Sequence, residues 1–279
     1  MTRLAAIALV VVLLGAGRTD AQPPQSSPPT LADAQRLFYN AHYQEAADLA
    51  LKLRETGTHD AANDEVRTTA LLFVLRGLLK GQDAYNDGNK SAALKACARC
   101  PDVIATFTAD LQHGQALARE RLKQAPDDET ALFYLGKLNL NFVWLHLGLL
   151  GKKTGLDEYR EARRSLDALL KLAPAHVRGK VARGWIDYIV ATRMPWGTRW
   201  ILGGGNRKKG LAMVREAVDT PADRLTHAEA EFALWDMLLR EKDIPAATVV
   251  ARRLAQAFPE NGEVAAFVAK SGSSRDPRF

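Results

Sequence analysis

Cysteine is close to absent from this chain: Cys97 and Cys100 are the only two in 279 residues. That scarcity excludes a scaffold knit by several disulfides and any four-thiolate metal site. The six histidines are scattered without metal-ligand spacing. GxSxG, HExxH and paired nucleophile–base patterns are all lacking, so the chain reads as non-enzymatic, with no metal and no cofactor. Strand signals are scarce, because the few β-branched stretches do not alternate with period two. Long apolar runs are missing too. Leu4–Ala16 is short for a bilayer span. Leu132–Leu150 is interrupted by Lys137, Asn139, Asn141 and His146, as suits a buried core helix. Acid is in mild deficit, and the net charge of +6 suits an anionic partner or membrane surface as well as plain solvated faces.

What is present begins with a targeting segment. Arg3 precedes the apolar run, and Thr19-Asp20-Ala21 offers small residues for cleavage before Gln22. Residues 1–21 read as a secretory signal peptide; the alternative is an uncleaved N-terminal anchor. Residues 22–30 (QPPQSSPPT) form a Pro/Ser-rich tether with too little apolar surface to fold. Residues 31–270 are expected to form one domain, and residues 271–279 a polar tail. With export, the expected location is the periplasm of a bacterium. It argues against a nucleic-acid partner, for which no sequence signature exists either.

Export also bears on Cys97-Ala-Arg-Cys100-Pro101. The pair can close a short local disulfide. A redox dithiol would want a βαβ context, a zinc site two further ligands, and haem attachment a His where Pro101 stands. None of these is present in the sequence.

Helical periodicity is nearly continuous and is punctuated by Pro and Gly. Within it runs an echo at a spacing of 48: Pro126/Pro174, Gly136/Gly184, Ala162/Gly210 and Leu166/Val214. Helices are expected near 31–39, 43–55, 66–79, 90–97, 103–124, 129–150, 156–172, 176–192, 207–218, 222–240, 245–257 and 263–270. The segment 196–205 between two of them reads as an irregular aromatic and glycine loop. Repeats of this kind stack helix pairs into an extended surface.

The turn residues resemble the tetratricopeptide repeat (TPR) family. Leu132, Leu135, Gly136, Ala162, Leu166, Leu169, Leu170 and Pro174 match its pattern in order, and Gly184, Gly210, Val214, Ala217 and Val218 match it again. Pro221 falls one position early. Ala34, Leu37 and Ala46 fit a first copy of ordinary length, and Ala247, Leu254 and Pro259 a last one. The central copies exceed the family's repeat of about 34 residues by about 14, which predicts about two extra turns on each helix, the second copy spending part of its excess on the 196–205 loop. The resemblance implies an all-α solenoid of antiparallel hairpins. It also implies a concave face lined by the first helix of each hairpin.

On that face the register puts Tyr134, Lys137 and Asn141 on one stripe and Arg178, Trp185 and Tyr188 on its neighbour. Lys and Asn there would clamp a carboxylate, and Arg with aromatics would hold a peptide. The alternative is that Trp185 and Tyr188 are core and Lys137 a solvated edge. A second candidate is the Trp/Gly loop and the basic helix start after it: Trp196, Arg199, Trp200, Arg207, Lys208 and Lys209. Gly203-Gly204-Gly205 would cradle an anion through free N–H groups, or exposed Trp beside Arg would meet a membrane edge. The plainer reading buries the Trp side chains in a packed connection. Leu211-Ala212 stands where a nucleotide loop needs Lys-Ser/Thr.

The expected function is non-catalytic: a scaffold or adaptor binding a protein or peptide in the cell envelope, with peripheral membrane contact as a further option. The alternative is a ligand-binding accessory of a solute transporter. Exported TPR-like proteins of tripartite transporters resemble this layout, although those are lipid-anchored and this chain has no Cys near the cleavage site.

Overall fold

The computed structural model describes residues 28–57 and 60–273. The expected signal peptide, residues 22–27 of the tether and residues 274–279 of the tail lie outside the described residues. The described residues are helical, with no strand among them. The helices are α1 (Leu31–Tyr39), α2 (Tyr43–Glu55), α3 (Ala61–Lys80), α4 (Asp83–Asn86), α5 (Lys90–Ala96), α6 (Cys100–Gln124) and α7 (Glu129–Val143). They continue as α8 (Leu156–Leu172), α9 (Val177–Arg193), α10 (Trp196–Arg199), α11 (Arg207–Asp219), α12 (Arg224–Arg240), α13 (Ile244–Ala257) and α14 (Gly262–Ser273). None is long and apolar enough to cross a membrane.

Their starts follow from short polar side chains that accept the first free backbone N–H groups. Asp128 accepts from Ala131 N at 2.9 Å, Asn206 from Lys209 N at 2.9 Å, and Asp223 from Leu225 N at 3.0 Å. Pro101 sits in the first turn of α6, where its missing N–H costs nothing, so α6 begins three residues before the expected 103. Cys97 and Cys100 are joined by a disulfide that ties the end of α5 to the start of α6, both residues buried. The 196–205 loop contains the short helix α10, and α14 runs three residues past the expected end of the domain.

The expected lengthening is unevenly spent. α7 has 15 residues and continues through a π-helical turn of 6, Trp144–Leu149. α8 and α9 have 17 each, but α11 only 13, the excess of that copy going into the connection before it.

The helices form two layers. α3, α7, α9 and α12 pack successively on the inside, and α2, α6, α8, α11 and α13 back them on the outside. An outer helix wedges between successive inner ones, as α8 does between α7 and α9. Small residues allow the close approach that the echo predicted. A Cβ on Gly210 would stand 2.5 Å from Gly184 O, and one on Gly136 2.8 Å from Leu166 Cγ.

The array does not stay open. It curls until its ends meet. Tyr39 of α1 stacks on Phe232 of α12 with ring centroids 5.3 Å apart and lies 5.2 Å from Phe258. Buried Asn261 donates to Tyr39 O at 2.8 Å, and His42 Nε2 lies 2.6 Å from Glu260. Tyr39 therefore belongs to the core of the opposite end of the chain, and the solenoid is a closed ring of hairpins.

Candidate functional site

Lys137, Asn141 and Arg178 face the interior from α7 and α9, whereas Tyr188 packs toward α11, where a Cβ on Gly210 would stand 3.1 Å from its own. What the inward-facing residues meet there is protein. Lys137 Nζ lies 2.9 Å from Glu229 of α12 and 3.7 Å from Glu65 of α3. Arg178 donates to Glu65 at 2.9 Å and, through Nε, to Glu229. Four helices thus contribute one charge each, and the two cations and two carboxylates balance. Their side chains are largely buried: 18% exposed for Lys137, 15% for Arg178, 13% for Glu229 and 3% for Glu65. The guanidinium of Arg178 also lies over the Phe133 ring, 4.4 Å from its centroid.

Burial by itself would raise the pKa of Glu229, but Arg178 and Lys137 outweigh it and bring it down to about 2. Burial likewise opposes the charge on Lys137 and Arg178, yet the two carboxylates hold both above their ordinary values. Burial pushes Tyr134 beside them up to about 12. Lys137, expected with Asn141 to clamp a ligand's carboxylate, is instead paired with the chain's own Glu65 and Glu229.

The other inner-face candidates are also engaged. Asn141 is buried and donates to Thr68 Oγ1 at 3.0 Å and Thr69 Oγ1 at 2.9 Å, joining α7 to α3. Tyr188 is core, 1% exposed, with Trp185 packed edge-on against it and Arg240 5.5 Å from the indole. The Tyr188 hydroxyl donates to Glu241 at 2.7 Å, and Arg207 donates to the same carboxylate. Tyr188 and Arg207, which the sequence assigned to separate sites, therefore meet at Glu241.

The Trp/Gly loop departs from its plainer reading. Trp196 is 87% exposed and Trp200 76%, so neither is packed. Two of the three cradle N–H groups are spent within the loop. Gly203 N donates to Trp200 O at 3.0 Å and Gly204 N to Arg199 O at 2.7 Å. The loop is pinned to α8, with Tyr159 donating to Leu202 O at 2.8 Å and Arg163 to Leu202 O and Gly204 O. Arg199 Nε is spent on Met194 O at 3.0 Å, while Lys208 and Lys209 are exposed.

Sequence reasoning missed Glu65 and Glu229, and it missed a second interior network. Arg54 bridges Asp64 at 2.6 Å and Asp110 at 2.8 Å, Arg67 holds Asp110 at 2.6 Å, and His113 Nδ1 lies 2.7 Å from Asp64. The available signal was charge at core-facing helix positions, such as Asp64, Glu65 and Arg67 in α3, whose second half is a strongly apolar run. Among the described residues no His/Cys/Asp/Glu group of three is arranged to hold a metal ion. Two surface clefts lie away from the cluster. One of ≈ 450 Å³ sits at the ring seam beside Arg36, Asn40 and Asp223, and one of ≈ 510 Å³ lies along α6 beside His113, Arg119 and Lys123.

No protein-family model matches the chain, and no curated protein matches it. Among solved structures the chain is similar to a thermophilic TPR protein of Thermus thermophilus, with a TM-score of 0.45 and 12% identity over 86% of this chain and 95% of that one.

Proposed function

We propose that the chain is a non-catalytic scaffold of the bacterial cell envelope, acting in the periplasm and holding a protein partner on the outer surface and ends of a closed helical ring. One observation carries this reading. The interior charges a ligand or substrate would need, Lys137 and Arg178, are neutralised by Glu65 and Glu229. Neutralised in this way they act as a structural hub. Binding is left to surfaces whose side chains are free, and stacked hairpins offer such surfaces in quantity. The same filling of the interior favours a scaffold over a transporter accessory, which would use that space for its ligand. The expected signal peptide supports the envelope setting.

The test is affinity capture from detergent-solubilised envelope extract, followed by reciprocal capture and titration of the purified pair. A single protein binding with defined stoichiometry is the expected result. A small molecule that co-purifies with the ring, with no protein partner, would overturn the scaffold in favour of the transporter accessory.

A further inference from the structure

We propose that the Trp196–Trp200 loop docks the ring onto an anionic lipid surface. The first ground is exposure of a kind folding does not leave without reason. Two indoles four residues apart stand 87% and 76% exposed, with Ile201 beside them at 41%. The second is rigidity. Tyr159 and Arg163 fix the loop's carbonyls from α8, and Arg199 ties it back to Met194, so the Trp pair is held out from the body.

Charge provides the third ground. From Tyr188 to Arg215 the chain contains no Asp or Glu, while Arg193, Arg199, Arg207, Lys208, Lys209 and Arg215 fall within it. The neighbouring connections leave this excess unchanged: exposed Lys152 and Lys153 before α8 are matched by Asp157 and Glu158 in its first turn, and Lys242 is followed by Asp243, so the positive charge resides in the 188–215 segment itself.

This chemistry selects a bilayer over a protein. Trp favours the headgroup zone, where its ring is half apolar and its N–H is solvated. Lysine is depleted at protein interfaces but enriched where proteins meet anionic lipid. The Trp pair also stands exposed at and just after the short helix α10, whereas protein hot spots sit in enclosed, desolvated contacts.

The test uses the protein as purified from the cell that exports it. Vesicles of phosphatidylcholine, with or without one-third phosphatidylglycerol, are added, and binding is read by co-sedimentation and by Trp emission. Wild type is expected to bind the anionic vesicles with a blue shift quenched by brominated lipid, and to bind more weakly as salt rises. Trp196→Ala/Trp200→Ala should lose the shift and bind roughly tenfold or more weakly. Lys208→Ala/Lys209→Ala should lose about fivefold per charge. Both variants replace exposed side chains, so their melting should match wild type; if the Trp variant does not fold, quenching of wild type by brominated lipid decides alone. Equal binding of the Trp variant and wild type would overturn the proposal. So would absence of vesicle binding in a protein whose capture of an envelope partner requires the Trp pair, since the loop would then be a protein interface.

Discussion

Glu229→Gln is the perturbation that tests the interior most directly. It keeps the shape of the side chain and removes one charge of four, leaving Lys137 and Arg178 to share Glu65 in a largely buried site. Two routes give the magnitude. A carboxyl held at about 2 instead of 4.5 stabilises the fold by about 3 kcal/mol at neutral pH. Removing one partner of a buried pair costs about 3–5 kcal/mol, the lower end applying because water still reaches the site. Urea unfolding followed by far-UV circular dichroism at pH 7 should therefore show a loss of about 3 kcal/mol, with the melting temperature falling by roughly 6–12 °C. Because the folded pKa is depressed, this contribution is complete above the ordinary carboxyl range and fades as pH falls toward 2. The stabilities of wild type and variant should converge over that window. Adding Lys137→Met to Glu229→Gln restores the charge balance and should recover more than half of the loss. A cost below about 1 kcal/mol at pH 7, or a gap that persists unchanged at low pH, would refute the hub.

Three further outcomes follow from the packing. Gly210→Ala drives a methyl into the backbone of α9, 2.5 Å from Gly184 O and 2.9 Å from Tyr188 N, and should cost about 1–3 kcal/mol in the same unfolding assay. Cys97→Ala/Cys100→Ala releases a closure spanning a sequence separation of 3. Such a small loop should lower stability by about 2 kcal/mol, a difference that disappears when both proteins are measured under reducing conditions. Asn261→Ala removes a buried hydrogen bond to Tyr39 O that closes the ring. It should cost about 1–3 kcal/mol and speed hydrogen exchange in α1 more than in α8.

Legibility in the sequence followed the range of the interactions. The 156–172 helix was readable to the residue because Gly151 before it, a periodic apolar face and Pro174 after it are all local signals. The echo at 48 correctly marked where helices approach, since Gly184 and Gly210 are small for a reason that acts between adjacent helices. The family resemblance, not the echo, put Lys137 and Arg178 on the inner face. Their partners were invisible because Glu65 and Glu229 lie on helices outside the echo, 72 residues before Lys137 and 92 residues after it. The sequence offered exposure of Trp196 and Trp200 only as the alternative to burial, because Trp is usually buried and the tethering of Leu202 and Gly204 to α8 is a long-range contact.

Helix content and the pairing of neighbours were therefore determined by the sequence, because capping, periodicity and close packing act over a few residues or between adjacent elements; boundaries were only partly so, since α3 begins at Ala61 rather than 66 and α7 gives way to a π-helical turn at Trp144. Tertiary structure decided whether the concave face would be open or filled. Small inter-helix rotations add up along the array, and here they bring Tyr39 against Phe232 and close four charges on one another. No single segment encodes that sum.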